Sequence, residues 1–243
     1  MDVVDFVVRS RQEEGRSWPV LVWRSPVPMR MVASAPHGGG LGSRRWIVNA
    51  QVPASYGRRD PDHHLTKLGI SLGLAGHGVG MLTAADVRLV GTATDGPVEV
   101  AATVGLGHPL WAAAPPEPRP TSLVGTINVV VLVPERLSDA ALVNAVGTVA
   151  EAKAQALWDR GIAATGTATD AVCIACPSDG RSHAFGGPRS YWGSRIARAV
   201  HAAVSSGCAL RPERPPERGT QGPERPPARG TQGPERPPER GTQ

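Results

Sequence analysis

Residues 127–133, Ile-Asn-Val-Val-Val-Leu-Val, are the most β-branched run in the chain. Such a run packs best with both faces covered, so it reads as a central strand around which a sheet must be arranged. Ser138 then caps a helix running to about Arg160, with Gly161 at its end, and residues 170–175 make another strand. Shorter apolar runs upstream read as strands at 19–23, 29–33, 46–52, 79–83, 87–90 and 98–104. The Pro-rich turn Arg24-Ser25-Pro26-Val27-Pro28 separates the first two, and residues 115–120 form an exposed proline-rich loop. Asp60-Pro61 starts a helix whose Leu65, Leu68 and Leu72 share a face and which ends near residues 73–76. Residues 191–204 form a last amphipathic helix. The expected fold is α/β, a mixed β-sheet with packed helices.

From Arg211 the chain changes character. The unit R-P-E-R-P-P-E-R-G-T-Q recurs from Gly222 and again from Gly233 with small changes. Pro, Glu, Arg, Gly and Thr offer nothing to bury, so this repeat cannot offset its ordering entropy and is expected to be a disordered, extended tether. The division is therefore a globular domain over residues 1–209 and a tail over 210–243. The net charge of +5 invites a nucleic-acid reading, but the tail supplies +2 of it and aromatics are only 4% of the chain. No basic run is interleaved with stacking rings, which excludes a nucleic-acid partner. The 3 cysteines make no disulfide framework. No apolar run approaches the roughly 20 residues of a membrane span, and the N-terminus lacks a basic leader region. A cytoplasmic protein without membrane insertion is expected, and nothing in the sequence speaks to oligomeric state.

The order of motifs suggests an internal pseudo-duplication. Asn49-x-x-Val52-Pro53, a helix and Thr83-Ala84-Ala85-Asp86 run in the same order as Asn128, Val133-Pro134, a helix and Thr167-Ala168-Thr169-Asp170. On this reading the two Asn and the two Asp positions face each other across a pseudo-twofold axis.

Several polar residues stand where a plain core would not need them. At about 100° per residue, Lys153 falls inside the stripe made by Leu142, Val146, Val149 and Leu157. An ammonium there must either reach water or meet a partner, Asp170 or Asp86, unless it is aimed at a substrate oxygen. Asp170 and Asp86 each follow a threonine by three residues, as turn caps or as carboxylates that position water. Thr126 and Asn128 flank Ile127 and so share one strand face, which suggests a pocket lining. Thr126 as an autoprocessed threonine nucleophile would require cleavage before it. Asn128 suits an oxyanion donor or an amide-recognising group. His64 lies near the apolar edge of its helix, whereas His37 precedes the glycines 38–40 and 42, whose backbone can approach a large ligand closely. There is no H-E-x-x-H, P-loop, G-x-G-x-x-G or G-x-S-x-G, so no metal or cofactor is expected. Cys173 and Cys176, three apart on a strand, point to opposite faces and cannot chelate together.

The pieces Gly80-Met81-Leu82-Thr83-Ala84-Ala85, Thr103-Val104-Gly105, Gly125-Thr126-Ile127-Asn128, Thr148 with Glu151-Ala152-Lys153, Thr165-Gly166-Thr167-x-Thr169-Asp170 and Trp192-Gly193 follow one another over residues 80–193. In that order they resemble the adenosylcobinamide amidohydrolase family, with similarity from about residue 31 to 207. The proline-rich loop departs from the pattern, and the first 25 residues and the tail lie outside it. The resemblance implies hydrolysis of the amide joining a corrin propionate arm to aminopropanol, releasing adenosylcobyric acid for corrinoid salvage, with a corrinoid as the partner molecule. A non-catalytic corrinoid-binding or transport-associated protein is the main alternative. Within the resemblance, Asp170 is expected as base or water-positioner, Lys153 and Asn128 as oxyanion stabilisers, and His64 as the acid that protonates the amine. Thr83 and Thr167 would orient the amide, with Asn49, Asp86, Thr126, Gly39 and Gly40 as further substrate contacts.

Overall fold

The β-branched run forms a strand at the centre of one mixed sheet. A computed structural model describes residues 6–115 and 125–210. In chain order the elements are β1 (Val7–Glu13), β2 (Arg16–Ala33), β3 (Gly40–Gln51), α1 (Pro61–Ser71), β4 (Gly78–Thr83), β5 (Val90–Asp95), β6 (Val98–Val104), β7 (Ile127–Leu132), α2 (Asp139–Asp159), β8 (Ala171–Pro177) and α3 (Tyr191–Ala209). The sheet runs β4-β3-β2-β8-β7-β6-β5, and β1 pairs with β2 off that path. Both β3–β4 and β7–β8 are parallel, each joined through a helix, whereas the other pairs are antiparallel.

The strands at 19–23 and 29–33 are one bent strand, β2. Its ladder with β3 shifts register between Arg24 and Met29, where Pro26 and Pro28 lie. Proline has no N–H to give a ladder, so the chain passes through an irregularity instead of turning back. The bend lets β2 serve two neighbours on one edge, β1 along Arg16–Val22 and β8 along Met29–Ala33. Residues 87–89 are a turn, and the strand there starts at Val90 instead. The repeat tail and nearly all of the proline-rich loop 115–120 lie outside the described residues.

Side-chain alternation divides the sheet into two faces. Ile127, Val129 and Val131 of β7 pack with Leu142, Val149 and Leu157 of α2 and with Ile196 and Val200 of α3. Trp46, Val48 and Ala50 of β3 pack on Leu65 and Leu68 of α1, on the same side of the sheet. The opposite face carries Met31, Ile47, Val79, Met81, Val130 and Cys173, all buried although no helix among the described residues packs with them. They are covered because the sheet curls: Asn49 of β3 reaches Thr103 of β6 and Asn128 of β7, although β2 and β8 lie between in strand order. Cys173 falls in the concave cluster and Cys176 in the helical one, so the two thiols do point to opposite faces. No helix among the described residues is long and apolar enough to cross a membrane.

The two parallel units match the duplicated order only in part. Asn49 and Asn128 meet, with Asn128 Nδ2 donating to Asn49 Oδ1 at 2.9 Å. The aspartates do not face each other, because Thr83 closes β4 whereas Thr167 and Asp170 precede β8. Asp86 is instead paired with Arg88 two residues on.

Candidate active site

A cavity of about 270 Å³ opens where the ends of β3 and β4 meet the starts of β7 and β8. Val52, Pro53 and Tyr56 follow β3, Leu82, Thr83 and Ala84 end β4, and Thr126, Asn128, Thr169 and Ala171 stand at the starts of β7 and β8. The curl of the sheet brings these ends together, and the period of two places Thr126 and Asn128 on one wall, as the sequence suggested.

Asn128 is almost wholly buried, at 1% exposure. Both protons of its amide nitrogen are engaged, one by Asn49 Oδ1 and one by the Leu82 carbonyl, each at 2.9 Å. The Leu82 carbonyl can only accept, which fixes the orientation of the amide. Asn128 Oδ1 is left buried with no hydrogen-bond partner among the described residues. This reverses the donor role expected of Asn128, for what it offers a ligand is an acceptor. A buried orphan of this kind costs about 1–3 kcal/mol and calls for an N–H or O–H to meet it. Asn49 does not reach the cavity; it receives Asn128 and donates to Thr103 Oγ1 at 2.8 Å.

Three threonines line the same cavity. Thr126 Oγ1 and Thr169 Oγ1 lie 2.6 Å apart, and Thr169 also reaches the Gly125 carbonyl at 3.1 Å. Thr83 Oγ1 accepts from the Ala85 amide at 3.1 Å, which aims its own proton elsewhere.

Lys153 is mostly buried and paired with Asp170, their side chains 13% and 11% exposed. Of the two aspartates considered, Asp170 is the partner. Its carboxylate also accepts from the Ile127 amide at 2.8 Å and the Thr167 amide at 3.1 Å, and the Thr167 hydroxyl lies 2.5 Å away. That hydroxyl sits 2.7 Å from the Gly125 carbonyl as well. Asp170, Lys153 and Thr167 do not line the cavity. Asp170 lies behind its wall, pinning the Gly125–Ile127 backbone that carries Thr126. Gly166 lies so close that a Cβ there would collide with both Asp170 and Lys153.

The remaining candidates lie apart. Gly39 and Gly40 are exposed and do not line the cavity. Gly39 needs to be glycine because a Cβ would stand 2.6 Å from the Ala35 carbonyl, so chain packing and not ligand approach explains it. Asp86 faces Arg88, which holds its carboxyl below the usual carboxylate range. His64 is buried in α1 outside the cavity, yet its Nδ1 lies 2.9 Å from the hydroxyl of Tyr56, which does line it. His64 Nε2 is 2.7 Å from Glu13 Oε1 on β1. Tyr56 and Glu13 carried no signal in the sequence, since neither belongs to a motif and their link to His64 exists only once β1 joins the sheet. Among the described residues no group of three or more His, Cys, Asp or Glu is placed to hold a metal.

The chain itself resembles known proteins. Residues 5–216 match the model of the family described as adenosylcobinamide amidohydrolase, a match that takes in β1 as well as the motifs. The chain is similar to a Methanosarcina mazei protein named adenosylcobinamide amidohydrolase, 28% identical over 184 residues, covering 72% of this chain and 88% of the relative. It is also similar to a Halobacterium salinarum protein of the same name, 36% identical over 129 residues, covering 50% of this chain and 54% of that one. Among solved structures, the PH0078 protein from Pyrococcus horikoshii OT3 aligns over 86% of this chain and 79% of its own at 10% identity and TM-score 0.41.

Proposed function

Since this chain belongs to the adenosylcobinamide amidohydrolase family, we propose that its cavity takes the aminopropanol-bearing arm of adenosylcobinamide and hydrolyses the amide to adenosylcobyric acid and aminopropanol. The reaction returns a corrinoid to cobalamin assembly, in the cytoplasm, with the corrinoid as partner and no nucleic acid involved.

The observation that carries this reading is Asn128 Oδ1, buried on the cavity wall and unpartnered among the described residues. A secondary amide supplies the N–H donor that this oxygen lacks. With the N–H so oriented, the carbonyl points away from Asn128. The Thr83 hydroxyl, which only accepts from the Ala85 amide, can donate to the oxygen as it gains charge, while Thr126 and Thr169 are bonded to one another and Thr169 to the Gly125 carbonyl. At about 270 Å³ the cavity is near the lower limit of ligand pockets, suited to one arm while the corrin ring stays at the mouth. Lys153 and Asp170 serve the reaction by holding the wall in place.

The test is incubation with adenosylcobinamide followed by mass spectrometry. Adenosylcobyric acid and aminopropanol in equal amounts are expected. Substrate retained on the protein but recovered intact would instead support the corrinoid-binding alternative and overturn the hydrolase reading.

A further inference from the structure

Amide hydrolysis needs a group that takes a proton from water and gives one to the departing amine. Among the described residues, the hydroxyls of Thr83, Thr126 and Thr169 meet an amide, a carbonyl and one another. The Tyr56 hydroxyl meets an imidazole.

The hydrogen bonds define a chain running inward from the cavity. Tyr56 is held in its turn by its backbone amide, which donates to the Pro53 carbonyl at 2.9 Å. Its hydroxyl lies 2.9 Å from His64 Nδ1, and His64 Nε2 lies 2.7 Å from Glu13 Oε1. Arg11 fixes Glu13, donating through Nε to Oε2 at 3.1 Å, and is itself anchored on the Gln51 carbonyl at 2.8 Å. An ionised carboxylate can only accept, so His64 carries its proton on Nε2 and presents a bare Nδ1 to the phenol. Tyr56 therefore donates to His64. A buried imidazole oriented by a carboxylate and hydrogen-bonded to the hydroxyl of a residue that lines the reaction cavity is the arrangement that activates hydroxyls for acyl chemistry. A purely structural role for this chain would require no alignment with the cavity, yet the one group it ends on lines that cavity.

We propose that Tyr56 is a catalytic residue that relays protons between the substrate and His64, with His64 and Glu13 as positioning residues acting through it. This rests on the amidohydrolase reading above. As water attacks the amide carbon, its proton passes to the Tyr56 oxygen while the phenolic proton passes to His64 Nδ1. The C–O bond forms and the carbonyl oxygen takes the negative charge. The C–N bond then breaks as Tyr56 gives its proton to the amine nitrogen and His64 restores the phenol. One water is consumed and the products are a carboxylic acid and an amine.

Burial pushes the Tyr56 phenol up, which keeps it protonated between turnovers. Burial also lowers the His64 pKa, while the Glu13 charge acts to raise it. The charged groups around the pair are Arg11 and Glu13 on β1, Arg58 and Asp60 in the loop before α1, and Lys67 on α1. Activity requires neutral His64, so kcat/KM should fall only below the ordinary imidazole range. Glu13→Gln removes the raising charge and should move that limb to lower pH.

The decisive experiment compares wild type, Tyr56→Phe, His64→Gln and the double variant on adenosylcobinamide. Thermal melting confirms that each is folded. Tyr56→Phe should lower kcat by about 100-fold with little change in KM. His64→Gln should cost a similar factor, and the double variant no more than Tyr56→Phe alone, because the two act in series. Full wild-type kcat in Tyr56→Phe, or losses that multiply in the double variant, would overturn the role. With tyrosine Cζ labelled by ¹³C, the chain gives two signals, from Tyr56 and Tyr191. His64→Gln should move only that of Tyr56, and a pair of unmoved signals breaks the chain whatever the kinetics. A wild type that leaves adenosylcobinamide intact rejects the function and this role together, whereas an active wild type with an unimpaired Tyr56→Phe rejects the role alone.

Discussion

Lys153 shows how far a single position can be read from sequence. Helical geometry alone put its ammonium within an apolar stripe, where it had either to reach water or to meet a partner, and the structure supplies Asp170 from the turn before β8. What sequence could not supply was the direction in which the pair faces. Asp170 is consumed by Lys153, by two backbone amides and by the Thr167 hydroxyl, so it braces the wall from behind. Asn128 teaches the same lesson in reverse: its face followed from strand alternation, but whether it donates or accepts depended on the Leu82 carbonyl, which belongs to another strand. The bracing role has a measurable consequence. Lys153→Met leaves a carboxylate largely buried without its counter-ion and should lower unfolding free energy by about 3–5 kcal/mol. The double change Lys153→Met, Asp170→Asn should recover much of that loss. Urea unfolding of wild type, the two single variants Lys153→Met and Asp170→Asn, and the double variant tests it. A Lys153→Met protein with wild-type stability and no turnover would return the lysine to the reaction centre.

Elements were legible where local chemistry defines them. Ser138 caps α2, its hydroxyl accepting from the Ala141 amide at 3.1 Å, and Gly161 follows the helix at φ 72°. Asp60 precedes α1 as expected, but its side chain makes no cap bond and pairs with Arg58 instead. β1 escaped notice because its turn is disguised. Glu14 and Gly15 both have positive φ, 50° and 74°, the conformation of a two-residue hairpin that usually advertises itself as Asn-Gly. With β1 unseen, Glu13 had no place near His64. The merger of two expected strands into β2 is the complementary error, since prolines that end a central ladder are tolerated at a register shift. Capping and close packing in this region can be separated by two substitutions. Ser138→Ala should cost about 1 kcal/mol, the ordinary value of a lost N-cap. Gly166→Ala should cost more and lower turnover as well, because its methyl would displace the Lys153–Asp170 pair behind the cavity wall. Equal, purely thermal effects from the two would show that the pair does not hold the wall.

At the scale of the whole molecule, the cavity exists because the sheet curls until β3 and β4 meet β6 and β7. Neither the curl nor the strand order could be deduced from local patterns, since both depend on contacts such as Asn49 with Thr103 and Asn128 that join residues far apart in the chain. The same geometry makes the two chain ends unequal. The N-terminal strand lies at the edge of the sheet with Val7 and Val8 half exposed, and contributes little to the core. Through Glu13 and Arg11, however, it orients the histidine behind the cavity. The repeat after Arg211 offers only Pro, Glu, Arg, Gly, Thr, Ala and Gln, with almost no apolar surface to bury. Removing residues 211–243 should therefore leave melting temperature, KM and kcat unchanged. Removing residues 1–14 takes Glu13 and Arg11 away from His64 and should depress kcat further than any accompanying loss of stability explains. Circular dichroism melts and turnover of adenosylcobinamide by both truncations decide the point. A tail truncation that loses activity would place part of the working site within the repeat, and an N-terminal truncation with full kcat would detach β1 from the chemistry.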